Sequence, residues 1–142
     1  MNNGDKHIPS GISVPQSFID EPVDMGLIKE FVSVAEDLRY KGLWVQEKII
    51  GEISSLEPIN LLSYISSLTS TADLGVAVII GSTRNPILLA KELASLDQMS
   101  GGRLILGYAL GGNPRNYSLM DGPDSKRVRH FIESLNVIKS LW

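Results

Sequence analysis

The stretch LGVAVIIGSTRNPILLAKELASLDQMSGGRLILGYA, residues 74–109, carries a complete strand–helix–strand pattern. Its opening segment, residues 74–80, is almost wholly apolar, as is typical of a parallel strand covered on both faces. Asn85 and Pro86 then predict a helix start. An asparagine side chain accepts from free backbone N–H groups, and proline lacks the N–H that would stay unpaired there. This order of elements indicates a βα unit in a parallel sheet.

The same stretch predicts where its helix ends. Gly101 and Gly102 follow the last helical residue, and glycine readily takes the left-handed conformation that closes a helix. A second strand is expected over residues 104–109. The helix should bury one stripe, formed by Leu89, Leu93 and Leu96.

The alternation continues on both sides of this stretch. Upstream, apolar segments predict strands over residues 11–14 and 43–46. Helices are expected over residues 24–40, from Pro58 onward, and from near Ser125 to the C-terminus. The residues expected on the buried faces of these three helices are Ile28, Phe31, Val32, Ala35 and Leu38; Leu61, Leu62, Ile65 and Leu68; and Val128, Phe131, Leu135, Ile138 and Trp142.

The spacing of the predicted strands indicates the fold class. Their centres lie about 30 residues apart, the size of one βα unit, so we expect an α/β fold with about four parallel βα units. A closed (βα)8 barrel typically takes about 250 residues, whereas this chain has 142. We therefore predict a partial TIM barrel over residues 11–142, preceded by a flexible tail over residues 1–10.

Composition and charge narrow the functional class. Hydrophobic residues make up 43% of the chain and charged residues 20%, as in a globular domain. A formal net charge of −3 does not indicate the basic surface that binds nucleic acid. The absence of cysteine excludes disulfides and thiolate metal sites. The apolar runs fall far short of the roughly 20 residues that span a bilayer. We expect a cytoplasmic protein without nucleic-acid or membrane partners, and without a metal, since His7 and His130 are isolated.

Three segments carry a family resemblance. They are GLWVQE at residues 42–47, the long stretch over residues 74–104, and the closing pattern within residues 129–142. Together they resemble the bacterial-luciferase-like monooxygenases, a family with FMN-dependent and deazaflavin-dependent members. The resemblance extends over roughly residues 11–142 and corresponds to the N-terminal half of a typical member.

This resemblance implies both a fold and an activity. The fold is a (βα)8 barrel that binds its cofactor at the C-terminal ends of the strands, where this architecture places active sites. The activity is that of an oxidoreductase, either a monooxygenase or a hydride-transfer enzyme, with reduced FMN or a deazaflavin coenzyme as cofactor. A small-molecule substrate and a flavin reductase are the partners that it implies.

The resemblance also implies cofactor contacts. Ala77 and Val78 align with the position where the family places a non-prolyl cis peptide, in a bulge behind the central ring of the cofactor. An ordinary buried strand is the alternative. Leu110 stands where some members carry an arginine that meets the flavin phosphate, and a plain turn explains Gly111 equally well. The remaining implied contacts are Gln46, Ile80 and Asn113.

Glu47 and Lys48 are the catalytic residues that the resemblance implies. Several members carry an acid followed by a histidine at this point, and that histidine donates or accepts a proton. Lys48 replaces it here, and a lysine donates a proton near neutral pH only if burial or another cation lowers its pKa. Lys48 could instead contact an anionic group, and a solvated loop is the alternative for both residues.

Other polar residues are expected to have structural roles. Arg103 and Asp97 lie at the opposite end of the strands, and Glu52 and Glu57 form no obvious catalytic pair. The loop after the third strand is expected to cap a helix, although its side chains could serve a phosphate. That loop consists of Ser82, Thr83 and Arg84.

Two other functions are open to consideration. The chain could be a truncated fragment without independent catalysis, acting only with a partner half or standing as an inactive remnant. Unpaired edges on its first and fourth strands would then favour a homo-oligomer or a separately encoded C-terminal half. A phosphoacceptor receiver domain would need acids where residues 15–17 read PQS and an aspartate where residues 81–83 read GST, which argues against that class.

Overall fold

A computed structural model describes residues 8–111 and 126–142 of the chain. These residues form six strands, four α-helices and one short 3₁₀ helix at Gly81–Thr83. In chain order the elements are β1 Gly11–Ser13, β2 Ser17–Phe18, α1 Met25–Asp37, β3 Gly42–Val45, β4 Ser54–Ser55, α2 Pro58–Ser66, β5 Asp73–Ile80, α3 Pro86–Ser100, β6 Leu104–Ala109 and α4 Arg127–Leu141.

Four of the strands form a parallel sheet in the order β1-β3-β5-β6. All three pairings in this sheet are parallel, with Gly42 opposite both Gly11 and Asp73, and Leu74 opposite Leu104. Helices α1, α2 and α3 connect successive strands of the sheet, and α4 follows β6. The structure therefore confirms the predicted parallel βα units.

Side chains cap the N-terminal ends of α1 and α3, and both ends of α3 lie where they were predicted. Asp24 accepts a hydrogen bond from the backbone N–H of Leu27 at 2.9 Å at the start of α1. Asn85 accepts from the N–H groups of Ile87 and Leu88 at the start of α3. Gly101 closes α3 with a φ of 72°, which is the left-handed conformation expected there. Among the described helices, none has both the length and the apolar character that a membrane crossing requires.

Three residues predicted on buried helix faces are exposed. Leu38, Val128 and Trp142 are 65%, 56% and 59% exposed, so these predictions are wrong. Each stands at a helix end, where the 3.6-residue period continues beyond the surface against which the helix packs. Predictions within the helices are confirmed for the fully buried Ile28, Val32, Leu62, Ile65, Leu89, Leu93, Leu96 and Ile138.

A small antiparallel pair, β2 with β4, lies beside the main sheet and was not predicted. Ser17 is opposite Ser55 in this pair. The buried Gln16 joins it to β3: its Nε2 donates to the carbonyls of Gln46 at 2.6 Å and Leu56 at 2.7 Å, and its Oε1 accepts from the N–H of Gln46 at 2.8 Å. Strands of two residues are too short for sequence periodicity to reveal.

The two faces of the parallel sheet differ. On one face, the ring of Trp44 covers three glycines, because a Cβ on Gly11, Gly42 or Gly75 would overlap or crowd it. Ile105 is 41% exposed and, by the alternation of side chains along β6, points to this same open face. The other face packs on the helices and forms the core, which includes Leu43, Val45, Leu74, Val76, Ile79, Leu62, Ile65, Leu93 and Leu96.

Candidate functional site

The carboxyl ends of the parallel strands bring most of the predicted site residues to one edge of the sheet. Parallel strands end at the same edge, so residues far apart in sequence become neighbours there. The described members are Gln46, Glu47 and Lys48 after β3, Ala77, Val78 and Ile80 in β5, and Leu110 and Gly111 after β6. The predicted contact Asn113 lies outside the described residues.

β5 carries an irregularity at the predicted position. The peptide bond between Ala77 and Val78 is cis, and the pairing with β6 shifts in register between Val76 and Ile79. Val76 and Ile79 are buried, whereas Ala77 and Val78 are exposed. The cis bond that the resemblance implies is therefore present, and the bulge leaves the two residues that it joins accessible.

Gly107 of β6 lies beside this bulge. A Cβ at Gly107 would stand 2.5 Å from the carbonyl oxygen of Val76 and 3.4 Å from the Cα of Ala77. A larger residue would push the two strands apart, so glycine permits their close approach. The result is a surface made of backbone and of the small residues Ala77 and Gly107.

Glu47 lies in a buried ion pair at this edge. Its side chain is 2% exposed. Oε2 accepts a hydrogen bond from the backbone N–H of Ile80, and Oε1 accepts from Nε of Arg84 at 2.9 Å and from Nη2 of the same guanidinium. These contacts compensate for the removal of the carboxylate from water. The acid that the resemblance implies as catalytic is thus engaged at both of its oxygens.

Arg84 links Glu47 to a second acid. Its Nη2 also donates to Oε1 of Glu57 at 2.8 Å, while Oε2 of Glu57 accepts from the N–H of Asn60 at 2.7 Å at the start of α2. Desolvation lowers the pKa of Arg84, but the hydrogen bonds and charges of Glu47 and Glu57 outweigh this and raise the pKa above its ordinary value. The guanidinium stays charged and connects the loops after β3 and β5 with α2.

The expectation that the side chains of the loop after β5 cap a helix is wrong for all three residues, and the hydroxyl of Thr83 donates to the carbonyl of Ile80 at 2.7 Å. Asn85 caps α3, whereas Ser82 donates to the carbonyl of Leu110 at 2.7 Å and Arg84 forms ion pairs. Sequence reasoning missed this ion pair, although an acid just past β3 and a cation just past β5 were a usable signal. The pairing depends on strand order, which neither residue reveals by itself.

Lys48 and Gly111 lie on the surface of the same edge. Lys48 is exposed and bends over Gly51, where a Cβ would stand 3.0 Å from its Nζ. Gly111 has a φ of 81°, a conformation that glycine adopts at little cost. Over residues 8–111 and 126–142, no group of three or more His, Cys, Asp or Glu is placed to hold a metal ion.

Tyr108 supports this edge from the helix side of the sheet. Its ring stacks on that of Phe131 with 5.0 Å between centroids, and a Cβ on Gly81 would overlap it. Within the described part of the chain, its buried hydroxyl has no hydrogen-bond partner at normal distance. Desolvation raises the pKa of Tyr108 by more than the nearby Ser134 hydroxyl, which forms no hydrogen bond of normal geometry with it, lowers that pKa. Tyr108 therefore stays protonated at neutral pH and anchors α4 behind the site.

Arg103 occupies the opposite edge of the sheet and has the structural role predicted for it. Its Nη1 donates to Oγ1 of Thr69 at 2.9 Å and to the carbonyl of Ala72 at 2.6 Å, and its Nε donates to the carbonyl of Ser100 at 2.6 Å. It therefore joins the end of α3 to the segment before β5.

Comparison with known proteins gives a consistent family. A family model described as luciferase-like monooxygenase matches residues 10–142. The phthiodiolone/phenolphthiodiolone dimycocerosates ketoreductase of Mycobacterium sp. (strain JLS) is 33% identical over 111 residues, which cover 72% of this chain and 29% of that protein. The 5,10-methylenetetrahydromethanopterin reductase of Methanopyrus kandleri is 30% identical over 84 residues, which cover 59% of this chain and 23% of that protein.

Solved structures with the same fold come from several organisms. A monooxygenase from Streptomyces bottropensis has a TM-score of 0.81 at 20% identity, over 95% of this chain and 43% of that one. The oxygenating constituent of 3,6-diketocamphane monooxygenase from Pseudomonas putida, in complex with FMN, has a TM-score of 0.79 at 16% identity, over 96% and 40%. The coenzyme F420-dependent tetrahydromethanopterin reductase of Methanopyrus kandleri has a TM-score of 0.61 at 27% identity, over 82% and 30%.

The matches cover most of this chain but less than half of each related protein. The chain spans 31% and 29% of the length of two curated relatives, and 43% and 40% of two solved chains. Its four parallel βα units correspond to part of a luciferase-like TIM barrel. Since the family model covers residues 10–142, the chain belongs to the luciferase-like monooxygenase family.

Proposed function

We propose that this chain forms the cofactor-facing part of an oxidoreductase that uses reduced FMN or a deazaflavin coenzyme on a small organic substrate. The observation that carries the proposal is the bulge in β5, where Ala77 and Val78 are exposed although Val76 and Ile79 on either side are buried. The bulge lies near the carboxyl ends of the strands, where barrels of this type bind ligands. A flat ring fits the surface of backbone and small residues that Ala77 and Gly107 create there.

The chain's own residues would bind and orient the ring. Ala77 and Val78 back it, and Gln46 contacts it from the end of β3, where Gln16 holds the Gln46 backbone at both its N–H and its carbonyl. Ile80 contributes an apolar contact. When bound, the cofactor would supply the electrons, either as a hydride or for reaction with oxygen.

The loop after β6 is proposed to approach the polar part of the cofactor. Leu110 and Gly111 supply backbone there, and the positive φ of Gly111 leaves no Cβ in the way. Asn113 is proposed to contribute a side chain to the same contact.

Lys48 is proposed to contact an anionic group of the cofactor or substrate. It is exposed at the edge where the site lies, whereas the neighbouring Glu47 is buried and paired with Arg84. A flexible ammonium suits phosphate or carboxylate as a point charge.

Titration of the full chain with FMN and with coenzyme F420, each followed by ligand fluorescence, tests the proposal. Ala77→Phe should abolish ring binding by filling the space over the bulge. Ser33→Phe, on the exposed face of α1, is the matched control and should bind as the unaltered chain does. Failure of the unaltered chain to bind either cofactor, or unchanged binding by Ala77→Phe, would overturn the proposal.

The identity of the cofactor also determines whether a flavin reductase is needed as a partner. Binding of FMN would call for a flavin reductase that supplies it in reduced form, and the same titrations distinguish the two cases. A preference for F420 would favour hydride transfer, and a preference for FMN would favour oxygen-dependent chemistry.

A second candidate function rests on the edges of the sheet. β1 and β6 stand at the two ends of the strand order, and Val78 and Ile105 leave apolar surface open, at 37% and 41% exposure. The chain would then act only when further strands pair with these edges and enclose the open face. Those strands would come from a separately encoded half or a second copy, and the chain would be an inactive remnant without them. Light scattering at increasing concentration, with and without FMN, distinguishes a lone chain from a self-associating one.

A further inference from the structure

Near the end of β5, a backbone N–H group is paired by a side chain and not by a neighbouring strand. The pairing of β3 with β5 ends at Val45 with Val76. Beyond that point β3 has ended, and the N–H of Ile80 donates to the side chain of Glu47 instead of to a backbone carbonyl. A carboxylate thus completes the hydrogen bonding of β5 just past its irregular segment, which meets the general requirement that buried N–H groups be paired.

The acceptor is fixed from its other side. Oε1 of Glu47 is held by Arg84, whose side chain is 22% exposed against 2% for Glu47. Arg84 is held in turn by Glu57 at 2.8 Å, and Glu57 caps α2 through the N–H of Asn60. The bulged strand is therefore connected through Glu47 and Arg84 to the first turn of a neighbouring helix.

We infer that Glu47 is a positioning residue that fixes the β5 bulge through the N–H of Ile80, rather than an acid or base of the reaction. The inference rests on the proposed function, in which the bulge backs the cofactor ring. Both oxygens of Glu47 are already engaged, and its 2% exposure leaves little room for a substrate proton to reach it. Its effect on the cofactor acts through the placement of Ala77 and Val78.

Amide hydrogen exchange, measured by NMR on the full chain, tests the contact without any cofactor. Glu47→Ala should speed the exchange of the Ile80 amide by about tenfold or more compared with the unaltered chain, because it removes a hydrogen bond to a charged acceptor. This change should exceed any change in the exchange of core amides that report global unfolding. Glu47→Gln should keep most of the protection, since its side-chain oxygen can accept the same bond.

Asp73→Asn is the matched control. Asp73 pairs with Lys41 at 3.0 Å and lies at the start of β5, where Gly42 of β3 pairs with it. Its substitution removes an ion pair at the opposite edge of the same two strands and should leave the Ile80 amide unchanged. FMN and F420 titrations of the same variants should show about tenfold weaker ring binding for Glu47→Ala only.

The outcomes separate the contact from the proposed function. Unchanged Ile80 exchange in Glu47→Ala, or equal loss of ring binding in Asp73→Asn, would overturn the positioning role. Loss of ring binding in Glu47→Gln with the Ile80 amide still protected would also overturn it, because the charge and not the bond would then matter. If the unaltered chain binds neither cofactor, the proposed function fails, while the exchange rates still decide whether Glu47 holds the bulge.

Discussion

Ser82 and Leu110 join two loops at the edge where the candidate site lies. The hydroxyl of Ser82 donates to the backbone carbonyl of Leu110 at 2.7 Å. Ser82 is buried, with 2% of its surface exposed. Ser82 follows β5 and Leu110 follows β6. The bond therefore sets the distance between the bulged strand and the loop that contains Gly111.

Ser82→Ala should destabilise the protein by about 1–3 kcal/mol, because the carbonyl of Leu110 loses a donor in a partly buried setting. Urea unfolding followed by circular dichroism measures this. Ser33→Ala, on the exposed face of α1, serves as control and should cost much less. A Ser82→Ala protein as stable as the control would show that the bond adds nothing.

Gly75→Ala should be destabilising by about 1–3 kcal/mol, as expected for overpacking. A Cβ on Gly75 would overlap the ring of Trp44, which also lies over Gly11 and Gly42. Trp44→Leu in the Gly75→Ala background should recover part of the loss, so a double-mutant cycle by urea unfolding measures the coupling. Additive effects of the two changes would contradict the packing of this ring on Gly75.

The helices and parallel strands could be predicted because their signals are local. The apolar run of β5, the Asn85-Pro86 start of α3 and its Gly101 end each depend on a few adjacent residues. The exposure of Leu38 could not be predicted in the same way, because periodicity does not show where the packing surface ends.

The candidate site was only partly predictable. The resemblance placed the cis bond at Ala77–Val78 and the site residues at one edge. It did not reveal that Glu47 pairs with Arg84, because that contact depends on the order of β3 and β5 in the sheet. Long-range pairs of this kind follow from topology, which one sequence specifies only indirectly.

Arg103→Met should destabilise the chain by about 2–4 kcal/mol, because it leaves several acceptors at the N-terminal edge without their donor. Arg103 donates to Thr69, Ala72 and Ser100, which joins α3 to the segment before β5. Arg129→Met is the matched control: Arg129 forms an ion pair with Glu133 at 2.7 Å, but both side chains are exposed. Chemical unfolding should show no measurable change for the control, and equal effects of the two substitutions would contradict the structural role of Arg103.

Glu36 should make the stability of the fold depend on pH. Its carboxylate accepts from the N–H groups of Ser70, Thr71 and Ala72 at 2.9, 2.6 and 3.0 Å. Desolvation raises the pKa of Glu36, but the hydrogen bonds from Thr71, Ser70 and Ala72 outweigh it and lower the pKa below the usual 4.5. A group whose folded pKa is depressed contributes stability that is fully present above the unfolded pKa and is lost as the pH falls through the folded one.

The stability difference between the unaltered chain and Glu36→Gln should therefore be largest near neutral pH and shrink as the pH falls below about 4.5. Urea unfolding across this range measures it. Glu30→Gln, on the exposed face of the same helix, controls for the general loss of a negative charge. The prediction would be wrong if the Glu36→Gln difference stayed constant with pH or if Glu30→Gln behaved identically, because the three N–H groups would then gain nothing from the ionised carboxylate.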